Sequence, residues 1–349
     1  MFPLISHELI YADGRLVTPG FIESHCHLGL ADSAGQDINE KTSPIHPGLR
    51  AIDAVDFDSP DFYEALKTGV TTLAVGPGSS NLIGGTFLAL KSAGRSAGSR
   101  IVKEELCMKM ALGENPKGNY GPQGKMPATR MGETALIRGT LYRAMDYRDR
   151  WLACEEKRKN GESCSFSFDL DLHSLMRVFD GFPVKIHVHK ANDIMAALRI
   201  GREFHLNFTL EHCTEGYMLL EELRDSGVIS ILGPIAGGKG KLELANKRYD
   251  APAMFERAGL PFALTTDSGV IPMEGLLMQA ALLIRHGLSE EGAYKALTVN
   301  AAKAIGLWDQ IGSIEPGKQA DLVIWNQEPF SKKARAGVVI VDGTVWYWA

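Results

Sequence analysis

The middle of this chain repeats one pattern. A short apolar, β-branched run ends in a polar residue, and a longer stretch with helical periodicity follows. Val70–Val75, Lys109–Leu112, Pro183–His189, Asn207–His212, Val228–Leu232 and Pro261–Thr266 read as buried strands. Helical patterns follow at Thr129–Lys159, Asp169–Phe179, Asp193–Phe204, Tyr217–Ser226, Ala251–Ala258, Gly275–His286 and Ser289–Ile305. Short strands that alternate with helices belong to βα units and a parallel sheet. The units approach eight, and 349 residues suit a TIM-like (β/α)8 barrel of roughly 250 residues with additions.

The tail breaks the pattern. Asp321–Trp325 and Val338–Val341 are expected strands, and Asp342-Gly343-Thr344 is a hairpin turn leading to a last strand. The expected organisation is α/β: a barrel over residues 19–307, with a small, incomplete β-sandwich from residues 1–18 and 308–349.

Composition narrows the function. The net charge of −5 gives no basic excess for phosphate neutralisation, so nucleic-acid binding is not expected. No apolar run is long enough to span a bilayer, and the first residues lack the basic-then-apolar order of a signal peptide. Cys26, Cys107, Cys154, Cys164 and Cys213 are odd in number and form no CxxC pair, which reads as reduced thiols in a cytoplasmic protein.

The residues that could carry chemistry lie at strand ends. His25 and His27 are two apart on the strand that starts at Phe21, so both point to one face and can share a metal ion. His187, His212 and Asp267 also sit where apolar strands stop. In a βα barrel the C-terminal strand ends build the active site. Three or four imidazoles and a carboxylate make a donor set suited to zinc or a similar divalent ion, as one or two ions.

These residues resemble the amidohydrolase superfamily. The resemblance rests on Pro19-Gly20-Phe21-Ile22-Glu23-Ser24-His25-Cys26-His27, on His187 and His212, on Thr266-Asp267, and on the closing segment Thr298–Trp325 with its G-x-I-x-x-G-x-x-A-D pattern. Within the superfamily the chain is most similar to the imidazolonepropionase-related members. The resemblance implies that His25, His27, His187, His212 and Asp267 hold metal. It further implies that Asp267 shuttles a proton, and that His212 or His189 stabilises an oxyanion. His189 is otherwise a contact to substrate or to a ligand, or the fifth-strand ligand itself. Members often add a carboxylate or a carboxylated lysine from the third or fourth strand. Glu114 is the first candidate for that metal position, with Lys91 and Lys117 as alternatives; a lysine would suit a binuclear site.

The implied activity is hydrolysis of a carbon–nitrogen bond other than a peptide bond, in an amide, cyclic amide or amidine. A metal-bound hydroxide at near-neutral pH would be the attacking group. The competing readings are a deaminase that releases ammonia from an amidine-type substrate, and a scaffold relative without catalysis. The partner expected is a small-molecule substrate.

Other segments carry blander expectations. Gly76–Asn81 with Gly84-Gly85 reads as a tight turn above the barrel, with an anion cradle as the alternative. Gly237–Lys241 is either a lid or a solvated loop, and Arg130 and Lys117 either hold an anion or form surface ion pairs. Cys26 and Cys213 read as barrel packing. His7, His46, His173, His205 and His286 read as surface or helix residues. Family members carry a longer segment before the motif at Pro19. A short lead would leave strand edges bare, which suggests reduced stability or a homodimer.

Overall fold

The computed structural model describes residues 9–30, 36–332 and 334–349, so His7 lies outside the described residues. Strand β1 (Val17–Pro19) leads after one residue into β2 (Phe21–Cys26). Then come β3 (Val70–Val75), β4 (Ile83–Lys91), β5 (Ile101–Ala111), β6 (Val184–Val188), β7 (Phe208–His212), β8 (Ser230–Leu232) and β9 (Phe262–Leu264). β2 to β9 form one eight-stranded sheet in chain order, curled into a nearly closed barrel. The expected α/β barrel is therefore present.

One strand departs from the regular repeat. β4 pairs antiparallel with both β3 and β5, whereas β2/β3 and the pairs from β5 to β9 are parallel. The connection from β3 to β4, residues 76–82, is too short for a parallel crossover, which needs a dozen residues or more. The chain can only fold straight back. Gly84 and Gly85, read from sequence as part of a loop, thus belong to β4. Gly85 has φ +99°, and a Cβ there would lie 2.4 Å from the Leu49 carbonyl oxygen.

The helices follow the expected ranges closely. The helix Arg130–Lys159 is capped by Thr129, whose hydroxyl accepts from Gly132 N at 3.0 Å. The expected helix Ser289–Ile305 is two, Glu290–Leu297 and Val299–Ala304, broken at Thr298 where the backbone leaves helical geometry (φ −130°, ψ −93°).

The barrel seam between β2 and β9 is closed mainly by side chains. Thr266 donates to Glu23 Oε2 from both its backbone N–H and its hydroxyl, each at 2.9 Å. The Thr265 hydroxyl donates to the His25 carbonyl at 2.7 Å.

A second sheet joins the chain ends. β10 (Leu322–Trp325), β11 (Ala336–Val341) and β12 (Thr344–Trp348) pair antiparallel with β1 in the order β1-β10-β11-β12. Asp321 rivets this sheet to the barrel. One oxygen takes the buried ammonium of Lys91 and the hydroxyls of Thr71 and Thr72; the other accepts from Asp342 N at 3.0 Å. A buried pair of this kind is costly to break from one side, because the surviving charge is left unpaired.

The cysteine expectation needs correction. Cys154 and Cys164 form a disulfide, with Cα atoms 5.5 Å apart. The sequence gap hides the contact: the chain reverses at Gly161 (φ +78°) just after the long helix, laying Cys164 back against it. The cysteines therefore no longer argue for a reducing compartment. Cys26, Cys107 and Cys213 are free and buried, as the packing reading of Cys26 and Cys213 required. Among the described residues no helix is long and apolar enough to cross a membrane.

Candidate metal centre

Strand alternation builds the floor of the site. Glu23, His25 and His27 follow one another at a spacing of two and are all buried at the barrel axis. Lys185, His187 and His189 do the same from β6. Two triads of donor atoms result, His25/His27/Asp267 and His187/His189/His212, each with its atoms within 4.8 Å of one another. They adjoin, with the rings of His25 and His212 centred 5.2 Å apart.

Alternation alone would not bring His212 inside, because its neighbour Glu211 already faces the barrel axis. The backbone turns left-handed at His212 (φ +65°) and Cys213 (φ +43°), and again at Asp267 (φ +53°). Such conformations cost about 1–3 kcal/mol each in non-glycine residues and persist where the surroundings enforce them. Here they aim a ligand-type side chain that regular strand geometry would misplace.

Hydrogen bonds on the far side of each ring fix what faces inward. His25 Nδ1 donates to Glu211 Oε2, His27 Nδ1 to the Gly76 carbonyl and His212 Nδ1 to the Gly233 carbonyl, all at 2.6 Å. Carboxylate and carbonyl oxygens only accept, so each Nδ1 carries the proton. Burial holds His25, His187, His189 and His212 below the usual imidazole range, with neighbouring cationic and imidazole groups pressing the same way. A neutral imidazole protonated on Nδ1 has its lone pair on Nε2, the form that binds metal.

Several inward atoms lack partners. Both ring nitrogens of His187 and Asp267 Oδ1 are buried without a hydrogen bond. His27 Nε2 comes within 3.1 Å of that oxygen, but not along a hydrogen-bonding direction. Orphaned donor atoms converging on one point fit a cation.

The further ligand position is occupied differently from the sequence expectation. Glu114 is not brought to either triad; it opens the short helix Glu114–Tyr120, and its backbone N–H donates to Glu243 Oε2 at 3.0 Å. Lys91 is spent on Asp321. Lys117 lies within the same short helix as Glu114. The side chain that reaches the triads is Lys109 of β5, fully buried, with Nζ 3.2 Å from His25 Nε2. Burial lowers its ammonium to about 8.

Sequence reasoning missed Lys109, Lys185, Glu211 and Glu23. Lys185 and Thr209 both donate to Glu211, at 3.1 and 2.6 Å. The available signal was a charged residue inside an otherwise apolar strand, as in Met108-Lys109-Met110 and Leu210-Glu211.

Two other expectations resolve. Arg130 makes a two-pronged ion pair with Asp193, at 2.6 and 3.0 Å. Gly76 is needed for packing, since a Cβ there would meet the Phe87 ring at 2.1 Å.

Imidazoles and a carboxylate gathered at the C-terminal mouth of a barrel are a donor set that could bind a metal ion. The comparisons with known proteins give the family. The sequence model of the amidohydrolase family matches residues 172–345. The structure is similar to that of an amidohydrolase from Thermotoga maritima MSB8, with 35% identity, a TM-score of 0.92, and coverage of 99% of this chain and 92% of that one. Among curated proteins, imidazolonepropionase of Mesorhizobium japonicum is 25% identical over 97% of this chain and 85% of its own length. Amidohydrolase tasK of Hapsidospora irregularis is 29% identical over 97% of this chain, which spans only 37% of that protein. The chain belongs to the amidohydrolase family, and with it to the hydrolases that act on carbon–nitrogen bonds.

Proposed function

We propose that His25, His27, His187, His212 and Asp267 hold one or two divalent ions, zinc by the nature of the donors, and that the chain hydrolyses a small amide, cyclic amide or amidine there. The observation that carries this reading is the set of inward Nε2 lone pairs on His25, His27 and His212, each enforced by an acceptor behind Nδ1. A bound divalent ion supplies Lewis acidity at that point.

The chain's own groups divide the remaining work. His25, His27, His187, His212 and Asp267 are the holding residues, and Lys109 takes the additional position for which Glu114 was first considered. A lysine in that place favours two ions over one. Asp267 takes a proton from the attacking water on Oδ1 and returns it to the departing nitrogen. His212 is committed as a ligand, because its only N–H already points at Gly233. His189 is the better oxyanion donor: its Nδ1 faces the Thr214 hydroxyl at 2.7 Å, which can donate to it and leave the proton on Nε2.

The test is metal content per chain by mass spectrometry on protein purified without chelators, beside a His25→Ala/His27→Ala double variant. One or two zinc ions, reduced in the variant, are expected. A wild-type chain that takes up no ion after reconstitution overturns the proposal.

A further inference from the structure

Three stretches without an assigned role meet above the three-histidine triad. They are the turn after β3, the segment that begins at Gly113, and the glycine-rich loop 237–241. Asn115 Nδ2 donates to Ser79 Oγ at 2.7 Å, and Lys241 Nζ donates to Asn115 Oδ1 at 2.7 Å. These bonds tie the three stretches together beside Glu243, whose side chain is fully buried and approaches His189.

Glu243 is anchored on one side only. Its Oε2 accepts from Glu114 N at 3.0 Å. The chain passes close by at Gly113 (φ +110°), where a Cβ would sit 3.0 Å from that oxygen. Its Oε1 is buried and has no donor. The nearest candidates are His189 Nε2 at 3.6 Å and Lys241 Nζ at 4.0 Å, both beyond hydrogen-bond distance, and Lys241 leans to Asn115 instead. The neighbouring acids are satisfied: Asp193 by Arg130, and Glu133 by the Gly113 N–H. A buried carboxylate oxygen without a donor is expensive, and proteins keep such groups where a ligand completes them.

We propose that Glu243 is a specificity-determining residue, whose free oxygen accepts a hydrogen bond from an N–H group of the substrate beside the bond that is cut. The inference rests on the hydrolase reading above. Oε1 lies at the edge of the triad, next to His189, so a small molecule over the histidines reaches it when Lys241 lifts. The site then takes amides, cyclic ureides or amidines that carry an N–H there. It disfavours N-methylated analogues, which leave that oxygen without a donor. Sites built to hydrogen-bond a substrate N–H reject analogues without it strongly, because the protein acceptor is left unpaired.

The experiment compares matched pairs on zinc-loaded wild-type, Glu243→Ala and Glu243→Gln protein. The probes are hydantoin against 1,3-dimethylhydantoin, and 2-pyrrolidinone against its N-methyl derivative, followed by calorimetric binding and by turnover. The wild type should bind at least one N–H member tenfold or more tighter than its methylated partner. Glu243→Ala should bring that ratio near one with zinc content unchanged, in protein that still melts cooperatively. Glu243→Gln, which keeps a carbonyl acceptor, should retain part of it. Equal losses on both members of a pair would make Glu243 a positioning residue for His189 and overturn the proposal. So would an unchanged ratio, or no binding of either N–H probe. An N–H preference without turnover would keep the subsite and sink the hydrolase reading; turnover without the preference would do the reverse.

Discussion

The two triads are built from the same residue type and differ in how they are held. In His25/His27/Asp267 both rings are pinned from behind, by Glu211 and by the Gly76 carbonyl, and a carboxylate adds charge. In His187/His189/His212 only His212 has a carbonyl behind it, His189 leans on a hydroxyl, and His187 has no partner at all. The first triad is preorganised and partly charge-neutralising. The second is looser, and a bound group must supply its order. The first should therefore bind a divalent ion more tightly, with the second completing or exchanging its coordination.

The largest effect should come from breaking each triad in turn. If the triads hold separate ions, His25→Ala/His27→Ala and His187→Ala/His212→Ala should each remove one and leave one, read as metal per chain. Complete loss in both variants would mean a single shared ion. Asp267→Asn should cost about 10²–10⁴-fold in kcat, the usual range for a proton-transfer group, read by steady-state turnover. Next in size is Glu211→Gln, which leaves the ligands in place but weakens the acceptor behind His25. Removing such support typically costs about 10–100-fold in metal affinity, measurable by chelator competition, and the first triad should feel it more than the second.

A smaller effect concerns the rim. Burial raises the Glu133 carboxyl to about 8 from an ordinary value of 4.5. Between those values the folded chain keeps a proton that the unfolded chain releases. Its contribution to stability is therefore full below about pH 4.5 and is lost as pH rises to about 8, with a slope of at most about 1.4 kcal/mol per unit. Glu133→Gln should flatten that part of the difference in denaturant stability between pH 5 and 8, and an identical slope in both proteins would exclude the effect. The smallest is the disulfide. Cys154→Ser should cost no more than about 2–3 kcal/mol in oxidised protein and nothing under reducing conditions, read by thermal melts.

The sequence was most legible where periodicity and chemistry coincide. His25 and His27 stand two apart in a strand, and the same spacing one step earlier would have found Glu23. His187, His212 and Asp267 were visible because each closes an apolar run. The lysine at the centre was not, because Lys109 looks like the polar start of a strand until β5 is seen to begin at Ile101. Glu114 looked more promising because it follows the same run, yet the chain has already turned away at Gly113.

The sequence by itself determined the alternation of strands and helices outside β4, the barrel class, and the histidines and aspartate at its mouth, because these depend on local period and on where apolar runs stop. Tertiary structure alone decided the rest. The reversal of β4 comes from a connection too short to cross over. The inward aim of His212 and Asp267 comes from left-handed backbone that only packed surroundings hold. The spending of Lys91 on Asp321 and the pairing of Cys154 with Cys164 depend on distances in space that spacing along the chain does not encode.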